Sequence, residues 1–244
     1  VDYLNMEKER AQITGKKTAV NMHFIFSGNP GTGKTTVARI MARVFKSLGI
    51  LPRGQLVEAD RSQMVAGYLG QTAIKVNQLV DSAIGGVLFI DEAYSLVSSP
   101  NDSFGKEAIE TLLKRLEDDR GKFICIAAGY TKEMEDFLEA NPGMHSRFNR
   151  KIEIEDYNGE AMTKIFMKLV ESNGFVLDEE ARAAVPEFFE QLYANRNRNF
   201  GNAREVRKVL DRALTRQSER LASIFGTEAY DPSMLNVLQK SDIL

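Results

Sequence analysis

The sequence predicts an α/β protein: a three-layer sandwich around a five-stranded parallel sheet, followed by a small all-α domain. Three observations predict it. Short apolar runs alternate with helix-period segments from residue 22 to residue 154, the pattern of a parallel sheet with helices on its faces. The run Gly86-Val87-Leu88-Phe89-Ile90 is apolar without alternation, as expected of a strand buried on both sides. After Tyr157 the strand-like runs stop and helical segments follow. The expected organisation is a large α/β domain over residues 1–156 and a helical domain over residues 157–244.

Taken in order, residues 3–14 read as a helix ended by Gly15 and the basic pair Lys16-Lys17. Residues 22–27 form the first strand. Residues 32–48 form the next helix, with Val37, Ile40, Met41, Val44, Phe45 and Leu48 at helical spacing, and Gly49 and Pro52 stop it. Residues 55–59 give a second strand, and Asp60 or Ser62 caps a short helical turn. Gly67-Tyr68-Leu69-Gly70 is a glycine-bracketed loop before a helix striped with Ala73, Val76, Leu79, Val80 and Ala83. Residues 86–90 are the third strand. A polar loop over residues 98–103 leads into a helix with Ala108, Ile109, Leu112, Leu113 and Leu116 on one face. Residues 122–128 form the fourth strand. A helix over residues 131–140 is stopped by Asn141-Pro142-Gly143, and residues 151–154 form the fifth strand. Residues 159–172, 179–195 and 202–222 read as helices, with Asn158 and Asp178 as caps. Residues 230–244 add a final turn or strand.

The 244 residues, with 43% hydrophobic and 27% charged side chains, describe an ordinary soluble globular chain. The net charge of −2 and pI near 5.9 disfavour nucleic acid as the main partner. The single Cys125 forms no internal disulfide, which suits a reducing cytosol. Its apolar run, residues 123–128, makes it a small buried hydrophobe rather than a nucleophile. No apolar run approaches the ~20 residues of a membrane helix, and residues 1–10 lack the pattern of a secretory signal. A cytoplasmic location without a membrane partner is expected. The chain begins with Val, consistent with a domain excised from a longer protein.

The rest of the chain is arranged around residues 28–35. Gly28-Asn29-Pro30-Gly31-Thr32-Gly33-Lys34-Thr35 fits G-x-x-x-x-G-K-[ST] at every fixed position and stands between an apolar strand and a helix, the context that this phosphate-binding loop requires. A glycine-rich turn aims successive backbone N–H groups inward as a nest for phosphate oxygens, and the helix N-terminus adds its dipole. Lys34 would reach the β- and γ-phosphates of ATP, and the Thr35 hydroxyl would sit on Mg²⁺. Thr36 completes the binding segment. A plain strand–turn–helix with a surface lysine is the bland alternative.

Val87-Leu88-Phe89-Ile90-Asp91-Glu92 places two carboxylates at the end of a strand expected beside the loop. Asp91 would hold the Mg²⁺ shell, and Glu92 would take a proton from, or orient, the attacking water. Such a pair favours ATP hydrolysis over nucleotide storage. Arg147, expected at a tight turn before the fifth strand, is the first choice for an arginine finger reaching a neighbouring subunit's γ-phosphate, with Arg150 second. Arg204, in Gly201-Asn202-Ala203-Arg204, opens the last long helix. It either touches phosphate from the small domain or remains a solvated helix-start cation. His23 and His145 have no ligand-spaced partners, so no metal beyond Mg²⁺ is expected.

These motifs, in this order, resemble the AAA+ ATPases. The wording is closest to the CbbX/CfxQ branch, which holds the red-type Rubisco activase, stage V sporulation protein K and EccA-type ATPase domains. The resemblance covers residues 22–221. It is carried by residues 28–36 and by Gly85-Gly86-Val87-Leu88-Phe89-Ile90-Asp91-Glu92-Ala93-Tyr94. Phe104-Gly105-Lys106-Glu107-Ala108-Ile109, Ala128-Gly129-Tyr130 and Asn141-Pro142-Gly143 add to it. It implies the AAA+ architecture of a P-loop NTPase with an α-helical lid, and a homo-oligomeric ring, usually a hexamer, with ATP at subunit interfaces. It also implies that Tyr68 lies in a first pore loop that grips a protein substrate, with residues 98–104 as a second. The chain departs from many AAA+ proteins in carrying Ala128-Gly129-Tyr130 where an Asn or Thr commonly orients the water.

Three functions follow: a ring motor that remodels or threads a protein, a nucleic-acid motor or loader, and a nucleotide-gated secretion or assembly subunit. Arg196, Arg198, Arg204, Arg207, Lys208, Arg212, Arg216 and Arg220 are the feature that would serve the second. Their plainer reading is solvation or pairing with acids on adjoining subunits, and the first function leads.

Overall fold

The computed structural model describes Met6, Ile13 and residues 22–244 apart from Leu69, Ser98, Pro100 and Arg198. The helix expected over residues 3–14 lies outside the described residues except at Met6 and Ile13. The chain divides into two compact units. Of the described residues, one holds those up to Ser27 together with Lys34–Glu153, and the other holds Gly28–Gly33 together with Ile154–Leu244.

In the first unit, strands β1 (Phe24–Ser27), β2 (Leu56–Ala59), β3 (Val87–Ile90), β4 (Ile124–Gly129) and β5 (Arg150–Glu153) form a five-stranded sheet in the order β2-β3-β4-β1-β5. Every pairing is parallel, with Phe26 opposite Ala128 and Ile90 opposite Ala127. All carboxyl ends therefore leave at one edge, where open α/β sheets bind ligands. β4 lies between β3 and β1, the strand that feeds the loop. Local apolar runs fix that a strand forms and say nothing of its neighbour.

β1, β3 and β4 are buried throughout, and the edge strands β2 and β5 carry the exposed positions. Helices α1 (Lys34–Ser47), α2 (Arg61–Met64), α3 (Gln71–Ala83) and α4 (Ser103–Asp118) supply the apolar faces that cover the sheet. Val76 and Val80 of α3 and Leu112 and Leu116 of α4 join Leu88, Ile90, Cys125 and Ala127 in one core. Each of the Val, Leu and Ile side chains among these contributes about 1.5–3 kcal/mol through burial. Asp60 starts α2 through a capping box, its carboxylate accepting from Ser62 N and Gln63 N while the Gln63 side chain accepts from Asp60 N. Cys125 is fully buried, and desolvation raises its thiol pKa, which fits its expected role as a core hydrophobe.

One reading fails here. Asn141-Pro142-Gly143 does stop α5 (Thr131–Glu139), but it also starts a further helix, α6 (Pro142–Arg147). The Asn141 side chain accepts from Gly143 N at 2.8 Å, and Pro142 stands in the first turn, where its missing N–H costs nothing. Arg147 accordingly ends a short helix rather than a tight turn.

The second unit packs α7 (Gly159–Ser172), α8 (Glu179–Ala194) and α9 (Ala203–Ile224) around Phe166, Phe189, Val206 and Leu210. Asn158 and Asp178 cap α7 and α8 as expected, accepting from Ala161 N at 2.9 Å and Ala181 N at 2.7 Å. The unit is not purely helical. Val176–Leu177 (β6) and Val237–Leu238 (β7) pair in parallel as a two-stranded sheet, and α10 (Lys240–Ile243) closes the chain. Some basic residues of α9 are already paired within the chain: Arg220 holds the buried Asp242 at 2.8 Å, and Lys208 meets Glu205 at 2.9 Å. Among the described residues no helix is long and apolar enough to cross a membrane.

Candidate active site

The carboxyl ends of β2 and β3 lead into Asp60, Arg61, Asp91 and Glu92. Asp91 follows β3 directly, and its N–H still donates to Ala59 O at 2.8 Å, so the end of the strand fixes its Cα. Its carboxylate Oδ1 accepts from Glu92 N at 3.0 Å. Glu92 is exposed and held at φ 48°, a left-handed conformation that a non-glycine residue adopts at a cost of about 1–3 kcal/mol. Strain of this kind is consistent with a side chain aimed by the fold. Asp91, Glu92 and Ser95 line an open cleft of about 650 Å³ with Asp60, Arg61, Ser62 and Val65. Arg61 is tied down in it, pairing with Asp102 at 2.7 Å and donating to Ser95 O at 2.7 Å.

β4 ends on Gly129, and Tyr130 then caps α5. A Cβ at Gly129 would lie 2.7 Å from both Tyr94 Cδ1 and Met134 Sδ, so the absent side chain lets Tyr94 press on the strand end. Tyr94 and Tyr130 stack with centroids 5.6 Å apart. Desolvation, then the nearby Glu92 charge, raises the Tyr94 phenol pKa and keeps it neutral. Lys34, first residue of α1, stands with Nζ 5.8 Å from the Tyr130 ring centroid, within cation–π range. Thr35 and Thr36 follow in the first turn of α1. Sequence reading found Tyr130 only as a departure from a pattern. The structure brings it to Lys34.

Arg147 is 28% exposed at its side chain and pairs with Glu117 at 3.0 Å, while donating to Ser146 Oγ at 2.5 Å. Its Nε is buried without a hydrogen-bond partner. Arg150 is exposed at the start of β5. His145 lies in α6, and His23 is buried, its Nδ1 accepting from Cys125 N at 3.0 Å. Burial lowers the His23 pKa to about 4, so the ring is neutral and structural.

In the second unit, residues 28–33 form a turn with φ of 144° at Gly28, 75° at Gly31 and 92° at Gly33. A Cβ at Gly28 would lie 2.3 Å from Ile154 O, and one at Gly31 would lie 2.1 Å from Gly201 O. Asn29 directs its amide to Asp156, at 3.0 and 3.1 Å from the two carboxylate oxygens. Thr32 is buried, its hydroxyl donating to Asn29 O at 2.9 Å, and Thr32 O accepts from Tyr157 Oη at 3.0 Å. The buried Asn202 donates to Pro30 O at 3.3 Å and to Asp156 at 2.8 Å. Sequence reading missed Asp156, Tyr157 and Asn202. The one available signal was the Gly201-Asn202 pair, which marks a left-handed position. Arg204 is exposed in the first turn of α9.

A turn closed to side chains, with three positive-φ glycines, is a backbone cradle of the kind that phosphate takes. The oxygen donors of Thr35 and Asp91 suit a hard cation such as Mg²⁺. A parallel sheet with this loop after its first strand and an Asp-Glu pair after another defines a P-loop nucleotide hydrolase. Comparison with known proteins agrees. Residues 24–156 match the AAA family, "ATPase family associated with various cellular activities", and residues 158–244 match the AAA lid domain. The chain is 39% identical to stage V sporulation protein K of Bacillus subtilis over 242 residues, 99% of this chain and 74% of that protein. It is 38% identical to protein CbbX of Cereibacter sphaeroides, covering 98% of this chain and 77% of that one. It is 36% identical to the ESX-1 secretion system protein EccA1 of Mycobacterium tuberculosis, covering 98% of this chain and 43% of that larger one. Among solved structures the FIGL-1 AAA domain in complex with ADP superimposes with a TM-score of 0.65 at 17% identity, over 98% of this chain and 75% of that one.

The chain therefore belongs to the AAA ATPases, in the branch that holds CbbX, CfxQ and stage V sporulation protein K.

Proposed function

We propose that the chain is a Mg²⁺-dependent ATP-driven motor that assembles into a homo-oligomeric ring, a hexamer by family analogy, and remodels or threads a protein substrate. The division of labour is an α/β part, residues 1–156, and a helical lid, residues 157–244. The loop 28–33 binds phosphate through its backbone, and Lys34 neutralises charge on the β- and γ-phosphates. Thr35 and Asp91 hold Mg²⁺, which supplies electrostatic stabilisation of the phosphoryl oxygens. Glu92 orients and deprotonates the attacking water. Arg147 serves the neighbouring subunit's site. To do so it must leave its half-buried position against Glu117 and Ser146. Arg204 meets phosphate from the start of α9.

The observation that carries the protein-remodelling reading is Tyr68. It is 74% exposed between Gly67 and Gly70, and a side chain on either glycine would meet nothing within 4 Å. An aromatic displayed on an open glycine-flanked loop has no packing role here and fits a contact with a passing polypeptide. The decisive experiment measures ATP turnover with and without an unfolded protein client. Tyr68→Ala is expected to lose the client-stimulated increment while the client-free rate is the reference. Full stimulation in Tyr68→Ala would reject the pore reading. A steep salt-dependent affinity for DNA would instead favour the nucleic-acid alternative.

A further inference from the structure

We infer that Asn202 is a positioning residue for ATP binding, fixing the phosphate loop from the start of α9. This rests on the reading of residues 28–35 as the phosphate cradle. Asn202 is fully buried at φ 49°, ψ −122°, a backbone conformation in which glycine is at ease and asparagine is strained. Its side chain offsets that strain through hydrogen bonds. Nδ2 donates to Pro30 O, Asp156 Oδ1 and Phe200 O at 3.3, 2.8 and 3.2 Å, and Oδ1 accepts from Tyr157 N at 2.8 Å.

The loop carbonyls show what this arrangement does. Pro30 O accepts from Asn202, Gly31 O from Ala203 N at 3.3 Å, and Thr32 O from the Tyr157 hydroxyl at 3.0 Å. Three consecutive carbonyls are held by residues 157–203. In a planar trans peptide the C=O of one residue and the N–H of the next point in opposite directions. Holding the carbonyls of Pro30, Gly31 and Thr32 therefore turns the N–H groups of Gly31, Thr32 and Gly33 the other way, as an anion nest needs. Asp156 completes the support, gripping Asn29 and Asn202 at once and pairing with Arg196 at 3.5 Å. The nest is thus aimed by the same unit that carries Arg204, and ATP affinity depends on Asn202 although its side chain faces away from the phosphates.

The test compares four variants of the full chain by calorimetric titration with MgADP. Asn202→Gly keeps the backbone conformation and removes the clamp. Its Kd is expected to rise roughly tenfold, the factor that about 1.4 kcal/mol represents. Tyr157→Phe, a milder change that keeps the fold, is expected to raise Kd about fivefold through the loss of about one net hydrogen bond. Gln217→Leu is the structural control, because Gln217 is a buried amide that ties Met234, Leu235 and Val237 carbonyls far from the loop in sequence. It should lower Tm and leave Kd within twofold. Lys34→Ala tests the underlying reading and should weaken MgADP. Wild-type Kd in both Asn202→Gly and Tyr157→Phe, with Lys34→Ala weakened, overturns the inference alone. An unweakened Lys34→Ala overturns the phosphate reading beneath it. In steady-state turnover Asn202→Gly, which relieves rather than adds backbone strain, should raise KM by more than it lowers kcat, the signature of positioning.

Discussion

Replacing Gly31 by alanine tests the loop where it is least tolerant. The new Cβ would lie 2.1 Å from Gly201 O, 3.0 Å from Arg204 N and 3.2 Å from Ala203 N, all backbone atoms at the start of α9. Real Cβ contacts do not fall below 3.0 Å, so the loop or the helix start must shift by nearly an ångström. The φ of 75° adds a left-handed cost of about 1–2 kcal/mol. Gly49→Ala separates the two effects, because Gly49 has a similar φ of 70° and open space around its missing Cβ. Gly49→Ala is expected to lose about 1 kcal/mol of stability from strain alone and to bind MgADP as the wild type does. Gly31→Ala carries the same strain plus the displacement of the cradle, and its Kd for MgADP should rise by at least about tenfold. Thermal unfolding and calorimetric titration of both variants measure this. A Gly31→Ala protein that is destabilised like Gly49→Ala yet binds MgADP with unchanged affinity would refute the reasoning that close backbone apposition shapes the site.

Other consequences can be measured directly. Glu92→Gln should retain MgATP and lose turnover by a factor on the order of 10²–10⁴, read by a phosphate-release assay. Tyr130→Ala removes the ring near Lys34 and should lower kcat/KM several-fold, consistent with a cation–π contribution of about 0.5–1 kcal/mol, whereas Tyr130→Phe should restore most of it if the ring rather than the hydroxyl matters. His23 makes stability pH-dependent. Its folded pKa of about 4 lies below the unfolded value of 6.5, so the unfolded chain takes up the proton first. Stability is therefore full above pH 6.5 and falls as pH drops towards 4, by about 2 kcal/mol between pH 7 and pH 5. Urea unfolding of His23→Gln should show a smaller loss over that interval.

What the sequence disclosed depended on how local the signal was. β1, β3 and β4 are buried along their whole length, so their apolar runs were plain, and Asn158 and Asp178 announced their helices through capping chemistry that needs only three residues. β6 and β7 are two residues each, too short for any periodicity, so β6 went unseen and β7 was foreseen only as a turn or strand within residues 230–244. Asn141-Pro142-Gly143 was ambiguous in a physical sense, because an Asn followed by Pro both ends one helix and caps another. The order β2-β3-β4-β1-β5, which brings Tyr130 between the loop strand and the Asp-Glu strand, is a long-range property. Asp156 shows the limit most clearly. In sequence it is one acid in a polar connector, while its partners Asn29 and Asn202 lie 127 and 46 residues away. The loop motif named the phosphate chemistry, but of the residues that hold the loop in shape only Asn202 stands in a motif, Gly201-Asn202-Ala203-Arg204, and that motif pointed to its arginine.

The central claim is that each ATP site is shared between subunits, with Glu92 from one chain and Arg147 from the next. Mixing Glu92→Gln with Arg147→Ala tests it most directly, because each variant alone leaves every site defective. If the site is shared, co-assembled rings contain some interfaces with an intact Glu92 facing an intact Arg147, and the mixture should recover ATPase activity that neither variant has. A mixture that co-assembles, as followed by subunit exchange between labelled chains, and still remains as inactive as its components would contradict the account.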